Sequence, residues 1–285
     1  MSAAYNYRPS PIAGSWYPGD PKRLAESVDK YLNMAELPEI EGEIVGVVAP
    51  HAGHRYSGAV AGYAFKSLEA LRPEIVAVVS PMHHPYFQNL LTSGHEAYQT
   101  PFGLVPIDRE AMQELNGLLE TELGYALSPI MNDPEHSLEI ELPFLQRVFP
   151  DGFGLLPVMV RDQSSRVSRA LGSSLAKVLK KRKAILVAST DLSHFYPQTV
   201  ANSLDKEILR RLEAFAPLEI LRAEEEGKGF ACGRGALAAV LWAAKDLGAD
   251  RVKVLKYATS GDVTGDYNQV VGYAAAVITR GKQGN

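Results

Sequence analysis

The sequence has 285 residues, a net charge of −4 and 46% hydrophobic residues, which is ordinary for a globular protein with a large core. The basic cluster at residues 180–183 (KKRK) falls at the predicted end of a helix, where cations complement the helix dipole. This cluster is therefore not evidence for a nucleic-acid-binding surface, and the sequence has no other basic stripe. The single cysteine excludes an internal disulfide, and no apolar run reaches the roughly 20 residues of a membrane helix. The N-terminus lacks a signal-peptide core. We therefore expect a cytoplasmic protein without a membrane or nucleic-acid partner.

Short apolar segments alternate with segments of helical periodicity along the chain. In chain order, the patterns predict a helix at 24–32, a strand at 44–49, a helix at 58–71, a strand at 75–80, a hairpin at 96–106, helices at 108–120 and 135–149, a strand at 155–160, a helix at 165–182, a strand at 184–189, helices at 201–215 and 233–247, and strands at 252–258 and 270–278. This alternation predicts one α/β domain over residues 1–285, a three-layer αβα sandwich around a mostly parallel or mixed sheet.

Five of the seven histidines closely follow predicted strands, at the edge where parallel α/β sheets bind ligands. They are His51 and His54 after the first strand, His83 and His84 after the second, and His194 after the strand that ends at Ser189. A lone loop histidine is more often a surface group than a ligand, but convergence from three strands favours a chemical role. Because adjacent side chains point apart, one of His83 and His84 is expected to enter the site.

Cys232 precedes a predicted helix, whose N-terminus lowers the pKa of a thiol and favours the thiolate that binds metals. A lone cysteine is more often a small packed residue, but the glycines that follow Cys232 allow close backbone approach. Two imidazoles and a thiolate suit copper, zinc or iron. His194, with Asp191 three residues before it, has the spacing of a base and its orienting carboxylate, and we expect either Asp191 or a backbone carbonyl to fix its tautomer. His136, at the start of a predicted helix, suits either a metal site or a surface hydrogen bond.

The order of these motifs resembles that of the Memo family. The matching segments are residues 13–17, 50–58, 81–84, 133–139, 191–194, 232–234 and 257–266. The chain looks most like the prokaryotic members called AmmeMemoRadiSam system protein B, which implies a functional link to a radical SAM protein. The resemblance implies a fold shared with class III extradiol dioxygenases and a copper or iron site at His51, His83 and Cys232. It also implies that His194 belongs to the site and that His136 lies at the cleft. His54 stands where the family often has an aromatic residue and is expected to widen the polar cluster.

Three functional hypotheses stay open at the level of sequence. The first is copper- or iron-dependent redox or non-haem dioxygenase-like activity on an unknown small substrate. The second is a non-enzymatic protein that binds a peptide or small ligand in the same cleft. The third is a zinc hydrolase in which His194 acts as the base. The cysteine favours redox chemistry over hydrolysis.

Overall fold

The computed structural model describes residues 6–281. The helices are α1 (Pro21–Met34), α2 (His54–Lys66), α3 (Arg109–Leu123), α4 (Leu142–Val148), α5 (Ser165–Leu179), α6 (Gln198–Glu213), α7 (Pro217–Glu225), α8 (Arg234–Asp246) and α9 (Gly261–Thr264). The strands are β1 (Tyr7–Arg8), β2 (Glu43–Ala49), β3 (Ile75–Pro81), β4 (Leu90–Ser93), β5 (Ala97–Thr100), β6 (Gly103–Pro106), β7 (Ser128–Ile130), β8 (Gly154–Val160), β9 (Ala184–Ser189), β10 (His194–Tyr196), β11 (Arg251–Thr259) and β12 (Val270–Arg280). The six predicted strands are confirmed as β2, β3, β8, β9, β11 and β12, with small shifts of their ends.

The central sheet is mixed, with a parallel core. Its strand order is β10-β12-β2-β9-β3-β8-β4-β7, and β11 also pairs with β12. Strands β2, β9, β3 and β8 run parallel to one another, whereas β12 and β4 join them in the antiparallel direction. Every residue of β3 is buried, which explains why this strand is apolar on both faces. The carboxyl ends of the parallel strands therefore lie along one edge of the sheet.

Helices flank this sheet in two groups. In one group, α1 and α4 pack against α2, which lies on β2 and β12; in the other, α3, α5 and α7 lie with α8, which packs on β3 and β9. Helix α5 shows how the sequence produces this packing, because Val167, Leu171 and Leu175 recur at helical spacing and are all buried. The buried hydrophobic residues form a cluster that includes both helix groups and the sheet. The predicted three-layer α/β sandwich is confirmed.

The segment 135–149 departs from its predicted helix. Residues 135–138 form a loop, a 3₁₀ turn follows at Glu139–Glu141, and α4 begins at Leu142. The carboxylate of Glu135 accepts the backbone N–H groups of His136 and Ser137, and such local bonds compete with a helix. The prediction that His136 starts a helix is therefore wrong, and its ring is carried by a loop.

Other boundaries also differ from the predictions. Helix α2 begins at His54 and ends at Lys66, so the predicted 58–71 span is shifted. Helix α7 was not predicted, and it is separated from α6 by Phe215, whose φ of 51° ends the preceding helix. The predicted hairpin at 96–106 is confirmed as β5 and β6, and β1 pairs with β5.

Within residues 6–281, no helix combines the length and the apolar character that crossing a membrane requires. The predicted single domain includes residues 1–5 and 282–285, which lie outside the described part of the chain.

Candidate metal centre

Three histidines from separate segments converge at the carboxyl edge of the parallel strands. His51 lies two residues after β2, His83 lies two residues after β3, and His136 lies in the loop before the 3₁₀ turn. One ring nitrogen of each lies within 4.8 Å of the other two. A metal ion with bonds of about 2.0–2.3 Å holds its ligand atoms about 3–4 Å apart. The three rings are therefore close to the spacing that a shared ion requires.

The three rings adopt a defined mutual orientation. His83 and His136 stack with a centroid distance of 4.8 Å and an interplanar angle of 13°. His51 meets both of them edge-on, at 5.1 Å from His83 and 5.5 Å from His136. Trp16, in the loop before α1, places its ring 4.1 Å from that of His136. The stack holds two of the three imidazoles nearly parallel.

The carboxylate of Glu135 joins the loops that carry His83 and His136. One oxygen accepts a hydrogen bond from His83 Nδ1 at 3.0 Å and lies 3.2 Å from His136 Nδ1. The other oxygen accepts the backbone N–H of His83 at 2.6 Å. Burial by itself raises the pKa of Glu135, but the hydrogen bond from His83, the electrostatic interaction with the rings of His83 and His136, and the backbone N–H of Ser137 outweigh it and hold the pKa below its usual range. Glu135 is therefore an anion at neutral pH.

His51 is oriented by the last residue of β9. Its Nδ1 lies 3.0 Å from Ser189 Oγ, and that hydroxyl donates to the backbone oxygen of Ser137 at 2.6 Å. Because a hydroxyl has one proton, it accepts from Nδ1–H, and the lone pair of His51 is then on Nε2. Glu141 Oε1 lies 2.8 Å from the same hydroxyl, and burial raises the pKa of Glu141 well above its ordinary value. The single hydroxyl proton goes to Ser137 O or to Glu141 Oε1, so His51 Nδ1 is the donor to Ser189 in either case.

Burial disfavours the charged form of two site histidines, His51 and His136. It lowers the pKa of His51 well below the ordinary value, and the neighbouring His136 and His83 add to this shift. Burial likewise lowers the pKa of His136 to about 4, against the opposing charge of Glu135. A neutral imidazole is the form that binds a metal.

Cys232 lies beside His51, outside the group of three rings. Its Sγ is 3.1 Å from His51 Nε2 and accepts the backbone N–H of Asp191 at 3.3 Å. Gly233 permits this placement, because a Cβ there would lie 2.6 Å from the backbone oxygen of Ser189. The start of α8 thus packs directly on the end of β9.

The acidity of Cys232 differs from the expectation. Burial raises the pKa of its thiol, and the Asp191 carboxylate adds to the shift. The lowering predicted from the helix N-terminus is wrong, because the cost of burying a thiolate outweighs the helix dipole. Without a metal, the group is a neutral thiol.

His194 and Asp191 are both at the site, and of the two groups expected to orient His194, Asp191 or a backbone carbonyl, the structure shows the carbonyl. His194 Nδ1 donates to the backbone oxygen of Leu192 at 2.8 Å, so a carbonyl fixes its tautomer. Asp191 instead accepts the backbone N–H of His51 at 2.8 Å. Burial raises the pKa of Asp191 to about 7, although the backbone N–H groups of His51 and Ala52 oppose the shift. Burial lowers the pKa of His194, which is therefore neutral at neutral pH.

A cavity of about 660 Å³ opens onto the three histidine rings. Asp191 and His194 line its inner part, and its aromatic walls are Trp16, Tyr56, Phe195 and Tyr273. This volume lies within the range of about 300–1,000 Å³ that is typical of small-molecule sites. A small molecule in the cavity therefore reaches the rings directly.

The other two strand-end histidines lie elsewhere. His54 is 2% exposed, its ring packs near Tyr17 and Phe144, and its Nε2 donates to the backbone oxygen of Ile140. His84 is half-buried next to His83. Within the described part of the chain, neither lines the cavity.

Sequence reasoning missed the residues that orient the rings. Glu135 lies in a motif noted above, but its segment was interpreted as helical. Ser189 was counted as the last residue of a strand. A polar residue that ends an apolar buried strand, or a carboxylate directly before a site histidine, is the signal that would have identified them.

A family model and individual relatives match this chain over nearly its whole length. A family model described as Memo-like protein matches residues 8–277. A MEMO1 family protein from Methanopyrus kandleri is 36% identical over 283 residues, covering 95% of this chain and 98% of that protein. A MEMO1 family protein from Nitrosopumilus maritimus is 34% identical over 269 residues, covering 93% and 96%.

One solved structure shares the fold at low sequence identity. The crystal structure of the uncharacterized protein JW3007 from Escherichia coli K12 matches with a TM-score of 0.56 and 16% identity, covering 82% of this chain and 100% of that one. This likeness concerns the α/β architecture alone. From the sequence matches over nearly its whole length, the chain belongs to the Memo-like protein family.

Proposed function

We propose that the chain binds copper or iron at this centre and uses the metal in a redox or dioxygenase-like reaction on a small molecule in the cavity. The observation that carries the proposal is the convergence of His51, His83 and His136 on an open cavity. A bound copper or iron ion supplies electron transfer and reactivity towards dioxygen when a coordination position stays open.

The donor atoms fit such an ion. Nδ1 of His51 and of His83 is engaged by Ser189 and Glu135, which leaves Nε2 of each ring for the metal. Imidazole donors suit copper, iron and zinc, whereas calcium and magnesium prefer oxygen. The anionic Glu135 offsets part of the charge of a bound cation.

Two residues are candidates for the third donor. Cys232 Sγ lies 3.1 Å from His51 Nε2, and a thiolate favours copper(I). His136 has a ring nitrogen within 4.8 Å of those of His51 and His83. Because burial raises the pKa of the Cys232 thiol, binding through sulfur releases a proton at neutral pH, whereas binding through His136 releases none. Proton release on metal binding therefore identifies the donor.

His194 is suited to accept a proton from a substrate. Its Nδ1–H is committed to the backbone oxygen of Leu192, so Nε2 carries a lone pair, and the residue lines the cavity. The lowered pKa keeps the ring neutral and able to act as a base. The aromatic side chains of Trp16, Tyr56, Phe195 and Tyr273 offer apolar surface to a substrate in the same cavity.

The test begins with metal-free protein, to which Cu(I), Fe(II) and Zn(II) are added separately under anaerobic conditions. Oxygen uptake is then followed with catechols, thiols and ascorbate. We expect a redox metal to bind below about micromolar concentration, roughly −8 kcal/mol, and to support oxygen uptake with at least one of these reductants. His83→Ala is expected to lose the metal.

His84→Ala is the matched control, because His84 is the neighbouring residue but does not line the cavity. It is expected to bind metal like the wild type. Equal losses in His83→Ala and His84→Ala, or no tight binding of copper or iron by the wild type, would overturn the proposal.

The all-imidazole group also favours a second candidate, a zinc-dependent hydrolase. Three histidines with an open position are a common donor set of catalytic zinc, which makes bound water more acidic. This function predicts that Cys232→Ser still binds zinc and still hydrolyses an ester substrate, and that copper or iron does not support oxygen uptake.

A non-enzymatic binding function predicts instead that a peptide or small ligand binds equally well to the wild type and to His51→Ala.

A further inference from the structure

We infer that Glu135 is a positioning residue that fixes the tautomers of two site histidines, His83 and His136, with a single carboxylate. The inference rests on the proposed metal centre and adds the group that prepares two of its ligands.

The surroundings of Glu135 consist of N–H donors. Its side chain is 1% exposed. It accepts the backbone N–H groups of His83, His136 and Ser137, and both ring Nδ1 atoms lie within 3.2 Å of one of its oxygens. Oε1 faces both ring Nδ1 atoms and the backbone N–H groups of His136 and Ser137, whereas Oε2 accepts the backbone N–H of His83.

This arrangement selects one tautomer for each ring. A carboxylate oxygen accepts and does not donate, so the His83 Nδ1 at 3.0 Å carries the proton. An unprotonated His136 Nδ1 would set its lone pair against the same anionic oxygen at 3.2 Å, so a protonated Nδ1 is favoured there too. Both rings then keep an unprotonated Nε2, the form needed to bind a metal.

The stack makes the shared contact possible. The planes of His83 and His136 differ by 13°, and the Nδ1 atoms of both rings lie within 3.2 Å of the same Glu135 oxygen. His51 obtains its tautomer separately, from Ser189. The site thus has two independent orienting groups.

A purely structural role is the competing explanation, and the surrounding contacts allow it to be tested. Arg8 donates to the backbone oxygen of Glu135 and makes two hydrogen bonds to the carboxylate of Asp133. The loop is therefore anchored independently of the Glu135 carboxylate. We expect Glu135→Gln, which keeps the size of the side chain and removes its charge, to fold.

The first measurement uses metal-free wild-type protein. Two-dimensional ¹⁵N–¹H spectra of the histidine rings, assigned with His83→Gln and His136→Gln, report which nitrogen carries the proton. We expect the Nδ1–H tautomer for both rings. An Nε2–H tautomer for His83 would overturn the inference, whether or not Glu135→Gln folds.

The second measurement compares variants. Glu135→Gln is expected to give mixed tautomers for at least one of the two rings and to weaken copper or zinc binding by about 10- to 100-fold. Glu139→Gln is the matched control, because Glu139 is buried in the same segment but pairs with Arg8 instead of a histidine. Equal weakening in both variants would show a structural role and refute the inference. The ring spectra are recorded without metal, so they test the tautomers independently of the proposed function. A wild-type protein that binds no metal would refute the proposed function, but the spectra would still decide the tautomer assignment.

Discussion

Substitution of Arg8 by methionine would leave two carboxylates buried without their cation. The side chain of Arg8 is 1% exposed, and it forms ion pairs with Asp133 and Glu139, whose side chains are 0% exposed. Methionine keeps much of the apolar length but none of the charge. Breaking a buried ion pair from one side costs about 3–5 kcal/mol, and we expect a loss of that size in the free energy of unfolding at pH 7.

Urea unfolding followed by tryptophan fluorescence measures this loss. In Arg8→Met, the carboxylate of Glu139 stays buried without its cation, so its folded-state pKa lies above that of the unfolded chain. The folded variant then binds protons that the unfolded chain does not, so its deficit relative to the wild type shrinks as the pH falls towards 5. Burial raises the pKa of Glu139 even with Arg8 present, which supports this sign.

A double variant separates the ion pair from other effects of the substitution. The destabilisation in Arg8→Met/Glu139→Gln is expected to be less than the sum of the two single losses, because the second change removes the unpaired charge. A loss below about 1 kcal/mol at pH 7, or a deficit that does not shrink at lower pH, would refute the reasoning.

Three further substitutions test other local features. Burial lowers the pKa of His54 to about 4, so below about pH 6.5 the unfolded chain binds a proton that the folded protein does not, and the free energy of unfolding falls by about 2 kcal/mol from pH 7 to pH 5. In urea unfolding, His54→Phe should lack this part of the fall. Identical pH profiles for the wild type and the variant would contradict the prediction. The exposed Phe195 has a left-handed φ of 61°, so thermal unfolding should show Phe195→Gly more stable than Phe195→Ala by about 1 kcal/mol, whereas equal midpoints would count against strain. A Cβ at Gly272 would lie 1.9 Å from Asp205 Oδ2, so Gly272→Ala should lower the free energy of unfolding in urea by about 1–3 kcal/mol. The control Gly117→Ala, with open space around the new Cβ, should lose no stability. Equal stabilities of the two variants would show that the contact at Gly272 relaxes freely.

The parallel core of the fold could be predicted because its strands are buried on both faces. Strand β3 is apolar over most of its length and every residue is buried, so local composition identifies it without knowledge of its neighbours. The meeting of His51 and His83 follows from the same fact, since parallel strands end at a common edge.

The groups that orient these histidines could not be predicted in the same way. Glu135 contacts His83 across 52 positions of sequence, so its place directly before His136 marks it as a candidate but does not identify His83 as its partner. Its carboxylate accepts the backbone N–H groups of His136 and Ser137. These hydrogen bonds hold the start of the segment in a loop, although its apolar periodicity predicts a helix there. The pKa of the Cys232 thiol could not be predicted for a related reason. The sequence shows that a helix begins near this residue, but it does not show how deeply the thiol is buried.

The position of β12 sets when the centre is completed during synthesis. This strand lies between β10, which carries His194, and β2, which leads to His51. Until residues up to 280 have left the ribosome, β2 has an unpaired edge and β10 has no partner strand to hold it. The cavity wall at Tyr273 is also missing from a shorter nascent chain. The cavity is therefore complete only after the whole domain has been translated, and until then the unpaired edge of β2 is a surface that favours aggregation.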